Sequence, residues 1–552
     1  MSAKRHQART LTLAVSAVTL TALALTGCSA SGPSSTTSDD PAADVPFGPS
    51  TPAAAGPLDS VTWMLGGEPT TLDADIDATT ADDTVLANVC DRLMQVQPDL
   101  SLGEGIAESA EWIDDTHVVF TIRQGAEFHD GSPLTTDDVL WSMQRHAAEG
   151  AAESDEYGNV VDMQKTGDNE ITVTTSQPDA IFVQAMAGDG GIVWNPRVIE
   201  AEGDKFGKPG SASACSGPYE VTSWDAGAQL TITKAANYWN PDRAGLVDEI
   251  VFRWADESAI VNSLTTGEAQ GAFLENAAGA KAFLASDSVG VFQGPSTNAW
   301  VLESTAKGAL TDERLRQALS LSLNREGIAQ SAFGGLAEPW KTPVGAGAWG
   351  YEQDAFQAAY DALEGAPAEP SDDDIAAAKA LVDEAGAPAD PIVVASNGSS
   401  AHNVIANALV DAASKIGLSA EILTVPAVQY GDLYSDEALR NQADLWPDEY
   451  YISKNEPIGF YKNGKSDAGV NFVGFSDTEY DALVAEGYAA TDDAERAEIA
   501  IKLQQKWVDH AVWLPVVATP ATLVMSNDVT GVPSSAAFIY YPWAADLGST
   551  EG

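Results

Sequence analysis

His129 and Asp130 stand side by side in this chain of 552 residues, and an imidazole next to a carboxylate is raw material for acid–base catalysis. The residues that follow point elsewhere. Gly131, Ser132 and Pro133 supply a permissive backbone, a local hydroxyl and a ladder stop, so the pair is read as a turn aspartate beside an exposed histidine. The other histidines, at 6, 117, 146, 402 and 510, form no HExxH, and no Cys-rich spacing accompanies them; no protein metal site is expected. Gly-x-Ser-x-Gly, a Walker loop and GxGxxG at a strand–helix junction are all missing. The 81 acidic residues include no recognisable catalytic constellation. The chain is expected to be no enzyme and to need no cofactor.

The elements around that turn are legible. Val118, Phe120 and Ile122 alternate with Val119, Thr121 and Arg123, the period of a strand with one face in a core. After the turn, Thr135 precedes Asp138 by three, a helix-start pair, and Val139, Leu140 and Met143 then share one helical face. Further strands are expected at Val61 to Leu65, Ile171 to Thr174, Leu230 to Thr233, Glu249 to Trp254, Ile392 to Val394 and Glu421 to Val425. Helices are expected from Ser371 to a stop at Gly386, over Asn403 to Ile416, after a Ser476/Glu479 capping box, and near Trp507. Strands flanking helices make a mixed α/β protein. No period of 20 to 50 residues repeats, which excludes a solenoid.

The N-terminus carries Lys4, Arg5 and Arg9, then an apolar run from Leu11 to Leu25, then Thr26-Gly27-Cys28. This is a secretory signal, too short to span a bilayer, and a small residue before Cys28 is the pattern of a bacterial lipoprotein signal. Residues 1–27 are read as that signal and Cys28 as the lipidated first residue, so the protein would hang from the cell membrane on its extracytoplasmic side. Residues 28–57 are Ser, Thr, Pro, Ala, Gly and Asp with almost no bulky apolar side chain, a flexible spacer. The remaining length exceeds what one core serves, so two or more lobes are expected. With 28 basic against 81 acidic residues, a net charge of −53, nucleic acid and anionic lipid surfaces are not expected as partners. After Cys28 only Cys90 and Cys215 remain; in an oxidising exterior an even pair reads as a disulfide, with two buried free thiols as the alternative.

Several segments, in order and spacing from about Leu72 to the region of Pro520, resemble the family 5 extracellular solute-binding proteins of ABC importers, the oligopeptide, dipeptide and nickel-binding group. They are the block from Ala107 to Met143, Cys215-Ser216-Gly217-Pro218-Tyr219, Asn237-Tyr238-Trp239, Asp312 to Leu323, Ala378 to Gly386, and Asn455-Glu456-Pro457. The resemblance implies a bilobed periplasmic-binding-protein-like flytrap with an additional subdomain. Lobe I would comprise residues 58–96, 191–295 and 520–552, with the subdomain at 97–190 inserted in it and lobe II at 296–519. It implies a monomer that captures a small solute, foremost a peptide, and hands it to permease subunits. A metal chelate, an opine-like or glycosidic solute is the alternative cargo; a secreted hydrolase or an adhesin is the alternative class.

The resemblance also implies a ligand site. In peptide-binding members an aspartate four residues before the Pro of Asn455-Glu456-Pro457 pairs with the peptide ammonium; here that position is Ser453, whose hydroxyl cannot neutralise a desolvated ammonium. Asp448 or Glu449 would then take the anionic role, or the ligand lacks that ammonium. Pro447 stands where a basic residue can face the far carboxylate. Aromatic cleft candidates are Trp300, with Asn298 two residues before it on the same strand face, and Trp446 with Tyr450 four residues on. Thr80 matches a cleft-lining position in the opening segment, although Ala74 replaces the family's Pro after Leu72-Asp73.

Overall fold

Residues 45–77 and 79–552 are described in a computed structural model; the signal segment, Cys28 and the spacer up to residue 44 lie outside the described residues. The spacer was expected to run free to Pro57, but it does not. Phe47, Ser50 and Gly56 form bridges with Gln293, Pro533 and Ser549, and Thr51 Oγ1 donates to the Val532 carbonyl at 2.9 Å. Composition gives no sign of this, because the attachment is made by backbone groups that any sequence carries.

Three separate stretches of chain build the first large sheet. Its seven strands run Val289–Gly294, Ala521–Ser526, Gly271–Leu274, Leu58–Leu65, Val247–Trp254, Gln229–Lys234 and Tyr219–Asp225. Leu58–Leu65 lies at the centre, parallel to both neighbours, and Trp63, Leu230, Ile250, Phe252 and Trp543 are buried about it. Cys90 and Cys215 are bonded, with Cα atoms 4.6 Å apart. That bond ties the end of helix Thr80–Val89 to the loop before Tyr219–Asp225.

An inserted body carries a four-stranded antiparallel sheet in the order Ala107–Asp114, His117–Ile122, Glu170–Thr175, Val160–Lys165. Val118, Phe120 and Ile122 are fully buried, as their alternation requires. Helix Thr136–His146 starts with the Thr135/Asp138 capping box and buries Val139 and Met143. In the turn, Gly131 has φ 76° and Asp130 Oδ1 accepts from the Ser132 N–H at 2.8 Å. His129 is not exposed: its ring nitrogens lie 2.7 Å from Ser213 Oγ and 2.9 Å from the Gly217 carbonyl. Burial lowers its pKa, and the ring clasps the turn to the Cys215 loop.

The second large sheet has six strands in the order Glu338–Pro339, Trp513–Ala518, Ala299–Ser304, Leu445–Tyr450, Ile392–Ser396, Ala420–Thr424. Helix Asp372–Ala385 has the Ser371/Asp374 box and ends at Gly386 with φ 84°. Helix Ser400–Lys415 crosses between the parallel strands Ile392–Ser396 and Ala420–Thr424. At the Ser476/Glu479 position the cap is Asp477, which accepts from Glu479 N at 2.8 Å. A carboxylate one residue nearer the helix displaces the serine from that role.

The chain passes between the two large sheets at 295–298 and again at 519–520. Two short crossings between two separate large sheets are what a hinged pair of lobes requires. Among the described residues no helix is long and apolar enough to cross a membrane, and no group of three or more His, Cys, Asp or Glu is placed to hold a metal ion.

Candidate functional site

A cavity of about 480 Å³ lies where the inserted body meets the second lobe. Asp155 and Glu156, on the turn Ser154–Tyr157, form one wall; Tyr434, Asp448, Glu449 and Tyr450 form the other. A neighbouring cavity of about 470 Å³ is lined by Leu100, Trp112 and Gln184 on one side and by Tyr351, Asn455 and Arg496 on the other. Ser453 and Lys454 belong to the walls of both.

Strand register positions the acids. Leu445–Tyr450 runs antiparallel to Ala299–Ser304, with Tyr450 opposite Ala299, Asp448 opposite Val301 and Trp446 opposite Glu303. Opposed residues share a face, so Glu303, Asp448, Trp446 and Tyr450 point the same way and Glu449 the other. Trp446 is wholly buried, its ring 5.9 Å from Tyr434 and 5.7 Å from Phe472. It supports Tyr434 from behind and lines neither cavity.

Tyr434 joins two carboxyls. Its hydroxyl lies 2.7 Å from Asp448 Oδ2 and within hydrogen-bond reach of Glu303 Oε1. One hydroxyl carries one proton, so two acceptors are satisfied only if a carboxyl brings its own. Glu303 is completely buried with Oε2 unpartnered, and burial and Asp448 hold its pKa well above the carboxylate range. The Tyr434 hydroxyl thus stands between the buried Glu303 and Asp448 and is shared by the two carboxyls. Burial raises the Asp448 pKa as well, while the Tyr434 hydrogen bond opposes that shift.

Glu449 faces the crossings. Its Oε1 accepts from Thr519 Oγ1 at 2.5 Å and from Asn298 Nδ2 at 3.5 Å. Burial raises its pKa, and those two donors counter the rise. Ser453 Oγ lies 3.3 Å from Glu156 Oε1, and Lys454 makes an ion pair with the same glutamate. Behind the loop, Glu456 is buried between Arg496 Nε at 2.8 Å and the Tyr351 hydroxyl at 2.8 Å. Tyr450 packs its ring on Phe460 and Trp513 and accepts from Asn463 Nδ2 at 3.0 Å.

Asp448, Glu449, Tyr450 and Ser453 thus meet at one cavity, with Asn298 touching Glu449. Trp300 does not join them. Its indole packs between Phe333 and His402 in the lobe core. Thr80 is exposed in the first turn of helix Thr80–Val89 and lines neither cavity. Sequence reading missed Glu303, Tyr434, Glu156 and Lys454. Only Glu303 left a signal, a lone acid directly after the apolar stretch Ala299 to Leu302.

Two lobes joined by paired crossings, with a polar cavity between bodies, define a solute-binding flytrap. The chain belongs to family 5 of the bacterial extracellular solute-binding proteins: the family model described as "Bacterial extracellular solute-binding proteins, family 5 Middle" matches residues 101–472. The chain is 24% identical over 493 residues to the probable D,D-dipeptide-binding periplasmic protein DdpA of Escherichia coli K12, covering 87% of this chain and 92% of that one. It is 23% identical over 496 residues to the glutathione-binding protein GsiB of the same strain, covering 85% and 91%. In structure it is similar to the unliganded open form of MppA, a periplasmic murein tripeptide binding protein. The TM-score is 0.75 at 17% identity, with 91% of this chain and 98% of that chain covered.

Proposed function

We propose that this protein is the substrate-binding subunit of an ABC importer and captures a small peptide between its lobes. The observation that carries the reading is the cavity whose walls come from both the inserted body and the second lobe, so that closure encloses a ligand. Three similar proteins whose names specify a D,D-dipeptide, glutathione and a murein tripeptide support the peptide class. Asp448, held at the wall by Tyr434, is the group that receives a ligand cation; Glu449 belongs to the hinge side and Ser453 to the rim. Closed, liganded protein is the form the permease subunits read.

Residues 58–96, 191–295 and 520–552 form lobe I, 97–190 the inserted subdomain and 296–519 lobe II. Residues 1–27 act as a lipoprotein signal and Cys28 as a lipid anchor that holds a monomer at the extracytoplasmic face of the membrane. No chemistry on the cargo is part of this reading.

Native mass spectrometry of purified protein tests it, together with melting under added Ala-Ala, Ala-Ala-Ala and glutathione. A set of short peptides released on denaturation and a ligand-dependent rise in Tm are expected. A single non-peptide compound overturns the peptide class; turnover of an added peptide overturns the role.

A further inference from the structure

The two cavities are separated by one crosspiece. Ser453 and Lys454 are the residues that line both, and from the second lobe they reach Glu156, on the turn Ser154–Tyr157 of the inserted body. Glu156 Oε1 lies 3.3 Å from Ser453 Oγ, and its other oxygen pairs with the Lys454 ammonium. The two side chains are 15% and 10% exposed, so this ion pair is screened little by solvent.

The bodies are held together beside it by contacts that do not depend on it. Ala180 N donates to the Tyr488 carbonyl at 2.8 Å, and Asn455 Nδ2 donates to the Leu100 carbonyl at 3.1 Å. Breaking the ion pair therefore removes a partition while the walls stay in place. Each cavity alone has a volume suited to a small solute, and the lining the two share is Ser453 and Lys454.

We propose that the Lys454–Glu156 ion pair is a length gate that confines the ligand to one of the two cavities and sets the upper size of the cargo. This rests on the solute-binding reading. Lys454 and Glu156 act here as specificity-determining residues: the pair is made by the chain's own charges, so a short ligand leaves it intact. A ligand long enough to span both cavities must first separate a little-solvated ammonium from its carboxylate.

The test compares the wild-type chain with Lys454→Met, Glu156→Gln, Lys454→Arg and the charge swap Lys454→Glu/Glu156→Lys, all purified from the same cells. Native mass spectrometry reads the masses of co-purified ligands and of alanine homopeptides, from the dipeptide to the hexapeptide, added at equal concentration. Lys454→Met and Glu156→Gln are expected to retain the alanine pentapeptide and hexapeptide at least tenfold better than wild type and to carry heavier co-purified ligands. Lys454→Arg and the charge swap are expected to keep the wild-type limit, whereas a merely stabilising contact would leave the limit the same in all five proteins.

An identical upper mass in all five proteins overturns the gate and leaves the solute-binding role standing. Ligand-free spectra throughout, with no alanine peptide retained by any of them, overturn that role and the gate with it.

Discussion

Glu449 and Thr519 are 2.5 Å apart, and through that contact a strand of the second lobe holds one of the two chain passages between lobes. Because Asn298 on the other passage donates to the same oxygen, one carboxyl grips both crossings. Glu449→Ala is expected to destabilise the protein by about 1 to 3 kcal/mol, the cost of leaving partly buried donors without an acceptor. Hydrogen exchange should accelerate at the amides of Ser296 to Asn298 and of Thr519 together. Acceleration in only one crossing would contradict the shared grip.

Glu456 is wholly buried against Arg496, itself 2% exposed. Removing the acid strands a guanidinium with its strongest partner gone. Glu456→Ala should cost about 3 to 5 kcal/mol in urea unfolding, whereas Glu456→Gln keeps an acceptor for Tyr351 and should cost less. Equal losses would argue that side-chain volume, and not charge pairing, holds this site.

Acid titration should stabilise the fold. Burial, with Asp189 as the next cause, pushes the Glu153 pKa up to about 8; burial pushes Asp91 up to about 6; burial and Asp189 raise Asp83. Each folded-state value lies above its unfolded value. The folded chain therefore binds protons that the unfolded chain releases, and stability falls as pH rises from the ordinary carboxylate range through the raised values. Thermal melts at pH 5 and pH 8 at constant ionic strength should give the higher Tm at pH 5, and Asp83→Asn should flatten the slope. A Tm that climbs from pH 5 to 8 would refute this.

The Cys90–Cys215 bond closes a loop of 125 residues. Replacing both cysteines with serine should lower stability by about 2 to 4 kcal/mol, most of it through the unfolded chain. Guanidinium unfolding with and without reductant checks it: the wild type should shift under reductant and the double variant should not.

Cys28→Ser should move the protein from the membrane fraction to the medium or the extracytoplasmic space, as expected if its thiol carries the lipid. Fractionation and intact-mass measurement decide it. Retention in the membrane at unmodified mass would count against the anchor.

Local periodicity made much of the fold legible. The alternation of Val118, Phe120 and Ile122 and the boxes at Thr135 and Ser371 are short-range patterns, and each lies where its spacing indicates. The attachment of Val45 to Pro57 was illegible because it uses backbone bridges to residues more than 200 positions away. At the cavity, Asp448 and Glu449 are neighbours in sequence but serve opposite faces, one tied to Tyr434 and the other to Thr519. Trp300 and Trp446 are core because both faces of their strands are buried at those positions, a property that sequence alternation does not display when nearly every residue is bulky. Glu156 and Lys454 lie 298 positions apart and meet only after the inserted body folds back.

The strand Ala521–Ser526 is an interior member of the first sheet, between Gly271–Leu274 and Val289–Gly294. A ribosome delivers this strand more than 220 residues after Val289–Gly294, so until then the first lobe has an open slot that no earlier strand fills. Its sheet cannot close until residues 521–526 emerge. A nascent or truncated chain ending before residue 521 would lack that wedge and leave Val289–Gly294 with no partner strand.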